Sequence, residues 1–283
     1  MENNIELTYT PKLNEALLIV GLDGWGNALD VSKGMVEYMI RKLGAQPFGK
    51  INPDPFYSFD DQRPVVEVED GILKTLDPPG GYFYTVSSAL VGRDIIFLKG
   101  TEPNLRWFNF TDSVLSFCHA TGVKTIISIG GMYDNVLHTD TIISAVASSK
   151  ELLTKLKKKK ALPINYKGPS SIHSTLHFEA KKQGFECLSL WCHCPFYLQG
   201  TTHFGHLSYL GKFLSEFGGF ELDTEELSIT WKDSCKQIQS VIDKNPELQD
   251  RINEIRKTKI KGSLDISKKH DKIIHLEDFL DPG

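Results

Sequence analysis

The sequence predicts an α/β domain with a central, mostly parallel sheet and helices on both faces. Three observations carry this. Strand-like runs such as "EALLIVGLDG" (15–24) and "VKTIISIGG" (123–131) have few polar interruptions, as expected of strands buried on both sides. Amphipathic helical patterns alternate with these runs. A length of 283 residues with 40% hydrophobic residues supplies a core for one large domain, or for a core with an appendage.

The elements follow in order. The strand at 15–24 ends in glycine and aspartate. Val31, Met35, Met39 and Leu43 then recur at helical spacing, with Asp30 as the expected cap and Gly44 as the stop. The region 45–70 reads as loop and short strands in a protruding hairpin, because Pro47, Pro53, Pro55 and Pro64 punctuate it and Val66 and Val68 alternate. "GGYFYTVSS" and "RDIIFLKG" read as strands. "TDSVLSFCHATG" reads as a helix stopped by Gly122. "TDTIISAVASS" is read as the start of another helix, capped by Thr139 or Thr141. Residues 150–160 carry six lysines, and the run at 157–160 reads as a solvated helix end where the dipole favours cations.

Ile172, Leu176 and Ala180 predict a helix ending before Gly184. "FECLSLWC" is a strand, and Leu207, Leu210, Leu214 and Phe217 share one helix face. Beyond Gly219 two amphipathic helices are expected, broken near Pro246. The division is therefore an α/β core at 1–220 and a mainly helical extension at 221–283 with a charged tail. Between 251 and 272 that extension holds eight Lys/Arg against three Asp/Glu.

Composition narrows the function. A net charge of -4 argues against a general nucleic-acid binder. There is no run of 18 apolar residues, so no membrane span is expected. The N-terminus has no secretory signal pattern, and five cysteines are too few and too uneven for a disulfide framework. A cytoplasmic location follows as the expectation.

In open sheets, pockets form beyond the C-terminal strand ends. The candidate pocket therefore comprises Asp23, Gly24, Trp25, Glu102, Arg106, Gly130, Gly131, His138 and Gly168. Asp23 is read first as a turn former, with proton transfer or ligand binding as alternatives. Glu102 and Arg106 read as a structural pair, with Arg106 alternatively holding an anion. The glycines at 21, 24 and 26 miss the dinucleotide fingerprint, and no phosphate-loop lysine follows. Ser170 and Ser171 lack a nucleophile-elbow context. "WCHCPFYLQGTTHFGH" (191–206) could on paper offer Cys192, Cys194, His203 and His206 to zinc. The spacing departs from usual zinc patterns, so these residues read as a buried strand end and a helix start. No metal and no cofactor are expected. Phe56, Tyr57 and Phe59, together with Leu248, Ile252 and Ile255, are candidate partner-binding residues.

Four ordered segments resemble the proteasome assembly chaperone 2-like family (the DUF75-type α/β proteins). They are "LIVGLDGWGNALDVSKGMVEYMIRKLGAQPFGKINPDPFYSF", "GRDIIFLKGTEPNLRWFNFTDSVLSF", "GVKTIISIGGMYDNVLHT" and "YKGPSSIHSTLHFEAKKQGFECLSLWCHCPFY". The second carries the family's EPxxRW signature at Glu102, Pro103, Arg106 and Trp107. The resemblance implies a three-layer α/β/α sandwich with a mixed, mostly parallel central sheet, similar to the phosphorylase/hydrolase-like fold. It also implies a protein-interaction or assembly-chaperone-like role, often as a homo-oligomer, with a protein partner. The alternative is an enzyme binding a small anionic or nucleotide ligand, such as an ATP-dependent ligase or a phosphorylase/hydrolase-like activity. The resemblance carries over no catalytic residue. Two departures remove cationic or titratable groups: Asp140 stands where the family carries arginine, and Phe196 where it carries histidine. The ending "FLDPG" lacks the hydrophobic-Tyr-X segment by which archaeal relatives dock.

Overall fold

The strand foreseen at 15–24 lies in the middle of the sheet, and everything else is placed by reference to it. The computed structural model describes residues 4–260. In chain order the strands are β1 (Ile5–Leu7), β2 (Ala16–Asp23), β3 (Gln46–Ile51), β4 (Val65–Glu69), β5 (Ile72–Asp77), β6 (Gly81–Val86), β7 (Ile95–Thr101), β8 (Val123–Asp134), β9 (Ile143–Ala147), β10 (Leu162–Pro163) and β11 (Glu186–Pro195). The helices are α1 (Val31–Leu43), α2 (Ser88–Val91), α3 (Trp107–Ala120), α4 (Lys150–Lys158), α5 (Ile172–Lys182), α6 (Phe204–Gly218), α7 (Glu225–Lys244) and α8 (Pro246–Ile260).

Nine strands form one sheet in the order β1-β3-β6-β7-β2-β8-β11-β9-β10. Period-2 alternation sorts each central strand between two cores. Leu17 and Ile19 of β2, Ile95 and Phe97 of β7, and Leu188, Leu190, Cys192 and Cys194 of β11 face the layer built from α1, α4, α6, α7 and α8. Leu18 and Val20 of β2, Ile96 and Leu98 of β7, and Ile126 of β8 face the layer built from α3 and α5. The result is a three-layer α/β/α sandwich.

The sheet is not mostly parallel. Strands β7, β2, β8 and β11 run parallel, and β9 with β10, but β1, β3 and β6 on one flank and β9 against β11 on the other pair antiparallel. Half of the eight pairings are therefore antiparallel. Buried apolar runs look alike in either direction, so burial alone does not tell a parallel pairing from an antiparallel one.

Three local expectations need correction. Residues 143–147 are strand β9 rather than helix; the following helix α4 is capped by Ser149, whose Oγ accepts a hydrogen bond from the Leu152 N–H at 3.1 Å. Asp30 stands before α1 with φ 55° and no side-chain cap bond; Asn27 Oδ1 takes the N–H groups of Ser32 and Lys33 at 2.8 and 3.1 Å instead. The hairpin expected at 45–70 is shifted, because 46–51 belongs to the main sheet and the true hairpin is β4–β5 at 65–77.

The C-terminal helices are laid onto the sheet. Leu248, Ile252 and Ile255 of α8 are buried in the same core as α1 and α6. The tail beyond 260, including "IIHLEDFL" and "FLDPG", lies outside the described residues.

Candidate functional site

The parallel strands β7, β2, β8 and β11 point their C-terminal ends the same way; β2 and β7 stop at Asp23 and Thr101, β8 and β11 run on to Asp134 and Pro195, and the turn 23–28 that follows β2 bridges to β8 at Gly131. Asp23 Oδ1 accepts from the Gly24 N–H at 2.9 Å and from Asn27 Nδ2 at 3.0 Å, so it shapes the turn. Lys33 approaches its other oxygen at 3.6 Å.

Glu102 is the tie between segments. Its Oε2 accepts from the Trp25 N–H at 3.0 Å, its Oε1 accepts from the Ile172 N–H at 2.7 Å, and its own N–H donates to Asp23 O at 2.7 Å. The carboxylate sits at the N-terminus of α5, where unpaired N–H groups and the helix dipole favour negative charge. The pair expected with Arg106 does not form. Arg106 is exposed, stands before α3 with φ 52°, and makes no ion pair among the described residues.

Gly130 and Gly131 are needed for close packing rather than for an open pocket. A Cβ on Gly130 would lie 2.5 Å from the Trp191 ring, and one on Gly131 would lie 2.6 Å from Ala28 O. The Gly131 N–H donates to Gly26 O at 2.7 Å. The Trp191 indole, with His173 edge-on at 5.8 Å, packs over Gly26 and Gly130. Burial alone pushes His173 down to about 4.

His138 belongs to a separate buried network. The Tyr197 hydroxyl accepts from the His138 N–H at 2.6 Å and lies 2.8 Å from its Nδ1. His203 stacks between His206 at 3.9 Å and Trp231 of α7 at 4.1 Å. The ring nitrogens contact backbone: His203 Nε2 lies 3.2 Å from His138 O, and His206 Nε2 lies 2.9 Å from His193 O. Burial pushes the Cys192 thiol up to about 12 and raises Cys194 as well, so both are neutral thiols packed in the core. Among the described residues no group of three or more His, Cys, Asp or Glu is placed to hold a metal. Gly168 lies apart, in the exposed loop that leads to α5.

The proposed aromatic anchors also move inward. Phe56 is fully buried, edge-on to Phe110 at 5.4 Å, and the Tyr57 hydroxyl donates to Thr101 O at 2.8 Å. Phe59 alone of the three is exposed. Leu248, Ile252 and Ile255 are likewise core residues, so that stripe is already occupied by its own chain.

An open cleft does exist, one step to the side of the expected pocket. A cavity of about 670 Å³ lies beside the ends of β2 and β7, bounded by Asp23, Gly24, Lys33, Glu37, Arg63 and Lys99. Its charges are mixed: Lys33 faces Asp23, and Lys99 approaches Glu37 at 3.4 Å. The i,i+4 placement of Lys33 and Glu37 on α1 was the available sequence signal. Nothing local marked Arg63 or Lys99.

A family model described as the PAC2 family matches residues 18–242, most of the chain. The chain belongs to the PAC2 family. No curated protein matches it. Solved structures with the PAC2 fold are similar throughout. A PAC2 family protein from Streptomyces avermitilis is 22% identical with a TM-score of 0.75, covering 84% of this chain and 99% of that one. A proteasome-assembly chaperone homologue from Mycobacterium tuberculosis is 21% identical with a TM-score of 0.76, covering 83% and 99%. PbaB of Pyrococcus furiosus, an archaeal proteasome activator, is 21% identical with a TM-score of 0.64, covering 84% and 97%. At these identities the likeness concerns the PAC2 fold. No helix among the described residues is long and apolar enough to cross a membrane.

Proposed function

We propose that this PAC2 family protein works by binding other proteins, as a cytoplasmic, homo-oligomeric, assembly-chaperone-like factor. One observation carries the reading most: the family match runs through the whole strand-end region, and there the polar groups are spent on the chain itself. Both Glu102 oxygens accept backbone N–H groups, and Trp191 fills the space above the glycines. The similar structures described as a proteasome-assembly chaperone homologue and a proteasome activator support the same direction.

The surface offered to a partner is the rim of this region. Trp25 is 62% exposed, and Leu105 and Phe108, at 45% and 67%, lie on the segment from Glu102 into α3 with Arg106 between them. Aromatic residues and arginine beside a polar rim are the residue types that dominate interface energetics. The test is affinity capture from native lysate with the full chain and with Trp25→Ala/Phe108→Ala. Loss of one specific protein partner, with melting temperature unchanged, is the expected result. Recovery of no protein, with a nucleotide or small acid co-purifying, would overturn it.

That second outcome has its own support. The cleft has room for a small ligand, and Arg63 stands in it beside the Lys33–Asp23 and Lys99–Glu37 pairs, which is the support for the enzyme alternative.

A further inference from the structure

We propose that the β4–β5 hairpin is a self-association element, whose apolar face packs against the same face of a second copy of this chain. This rests on the homo-oligomeric state proposed above and assigns its contact.

The hairpin stands apart from the nine-stranded sheet as a sheet of its own. Every residue from 65 to 77 is exposed. Asp70 and Gly71 form the two-residue turn with φ of 50° and 77°, and the pair Glu69–Ile72 flanks it. Positive φ at both central positions is the turn geometry that matches strand twist, and Asp-Gly favours it.

Register then sorts the side chains. Directly opposed residues of an antiparallel pair project to the same side. Val66 opposes Leu76, and Val68 opposes Leu73, so four aliphatic side chains share one face. Val65 with Asp77, Glu67 with Thr75, and Glu69 with Ile72 share the other. The register shift between Glu67 and Val68 makes this possible, because it leaves Lys74 unpaired. Without that extra residue Lys74 would oppose Val68, and Leu73 would turn to the acidic side.

The four aliphatics are 53%, 58%, 59% and 62% exposed at Val66, Val68, Leu73 and Leu76. A two-stranded hairpin with neither face covered is marginal in water, and a contiguous apolar patch marks an interaction site. Its two edges also carry unpaired backbone groups.

The charge pattern selects the occupant. Glu67, Glu69 and Asp77 lie on the other face beside Val65 and Ile72, so all the acids of the hairpin strands share one side, and the cation Lys74 is held 3.6 Å from Glu69. A basic partner would be drawn to the acidic face and would leave the aliphatics in water. The complement for the aliphatic face is another uncharged face. A twofold copy of the hairpin supplies one in equal number and keeps both acidic faces outward. Four aliphatic side chains from each copy make a small contact, at or below the low end of specific interfaces. The contact is therefore reversible and concentration-dependent.

The experiment is sedimentation velocity on the full chain across a hundredfold concentration range, with Val66→Glu/Leu76→Glu alongside. The wild type is expected to shift toward a larger species with concentration, and the variant to need at least tenfold more protein for the same shift. A Val68→Cys chain should also cross-link to itself through a short bismaleimide, above the wild-type background from native cysteines. If the glutamate variant unfolds, Val66→Thr/Leu76→Thr keeps strand propensity and decides the matter. A wild type that is monomeric throughout overturns both this contact and the oligomeric state. A wild type whose self-association the variants leave unchanged overturns the hairpin contact alone. Release of a different protein by the variants, with self-association intact, overturns the choice of occupant.

Discussion

Glu102 shows how one residue can be read correctly by type and wrongly by partner. Its place near the strand ends was legible, because carboxylates concentrate there whether they bind ligands or cap helices. What the sequence could not reveal was that its partners are backbone N–H groups from positions 25 and 172, distant along the chain and silent as residue types. Nearby Arg106 was the visible counter-charge, and it stays in solvent. The bonds imply a stability role. Hydrogen bonds to a charged acceptor contribute roughly 1.5–3 kcal/mol each, less where water shares the group. Glu102→Ala is therefore expected to cost about 2–4 kcal/mol, and Glu102→Gln to recover part of that. Denaturant melts of the three proteins check this; equal midpoints would show that water already does the work of the carboxylate.

Among the elements, legibility followed length and neighbours. β2, α1, α5, β11, α6 and the break at Pro246 were readable because an apolar stripe or run is bounded by glycine or proline at each end. "IISAVA" was not, since a short apolar run fits strand and helix alike; β-branched Ile142, Ile143 and Val146 were the better guide. The β4–β5 hairpin had a signal in Asp70-Gly71 between alternating aliphatics, overshadowed by the prolines before it. For α8 the stripe was evident but its target was not. Periodicity says that Leu248, Ile252 and Ile255 share a face, yet a core and a partner both satisfy it. Their burial settles the energetics: Ile252→Ala should cost about 2–5 kcal/mol, as for other aliphatic truncations in packed cores. Thermal unfolding measures this. A loss within 0.5 kcal/mol, the scale of a surface change, would mean α8 is not docked in solution.

At the scale of the whole molecule, both helical layers are fastened through neutral histidines. His173 on α5 packs under Trp191 on one side of the sheet. On the other, His203 and His206 carry Trp231 and with it α7. Burial pushes His173 and His206 down from 6.5 to about 4 and lowers His203 well below its ordinary value. The backbone oxygen of His193 beside His206 works in the opposite direction, but burial outweighs it. Each ring is therefore neutral in the folded chain and becomes charged on unfolding once the pH is below about 6.5. The unfolded state then binds more protons, so stability is full above 6.5 and is lost as the pH falls toward 4. At pH 5 the loss is about 2 kcal/mol each for His173 and His206. His177, also pushed down to about 4 by burial, and His138, lowered by burial, add to the same slope, while most carboxylates titrate below this interval. The melting temperature of the full chain should thus fall steadily across that interval. His173→Gln should flatten part of the slope, even where it lowers stability at pH 7. A melting temperature constant from pH 7 to 5 in the wild type would show that these rings already hold protons in the folded state.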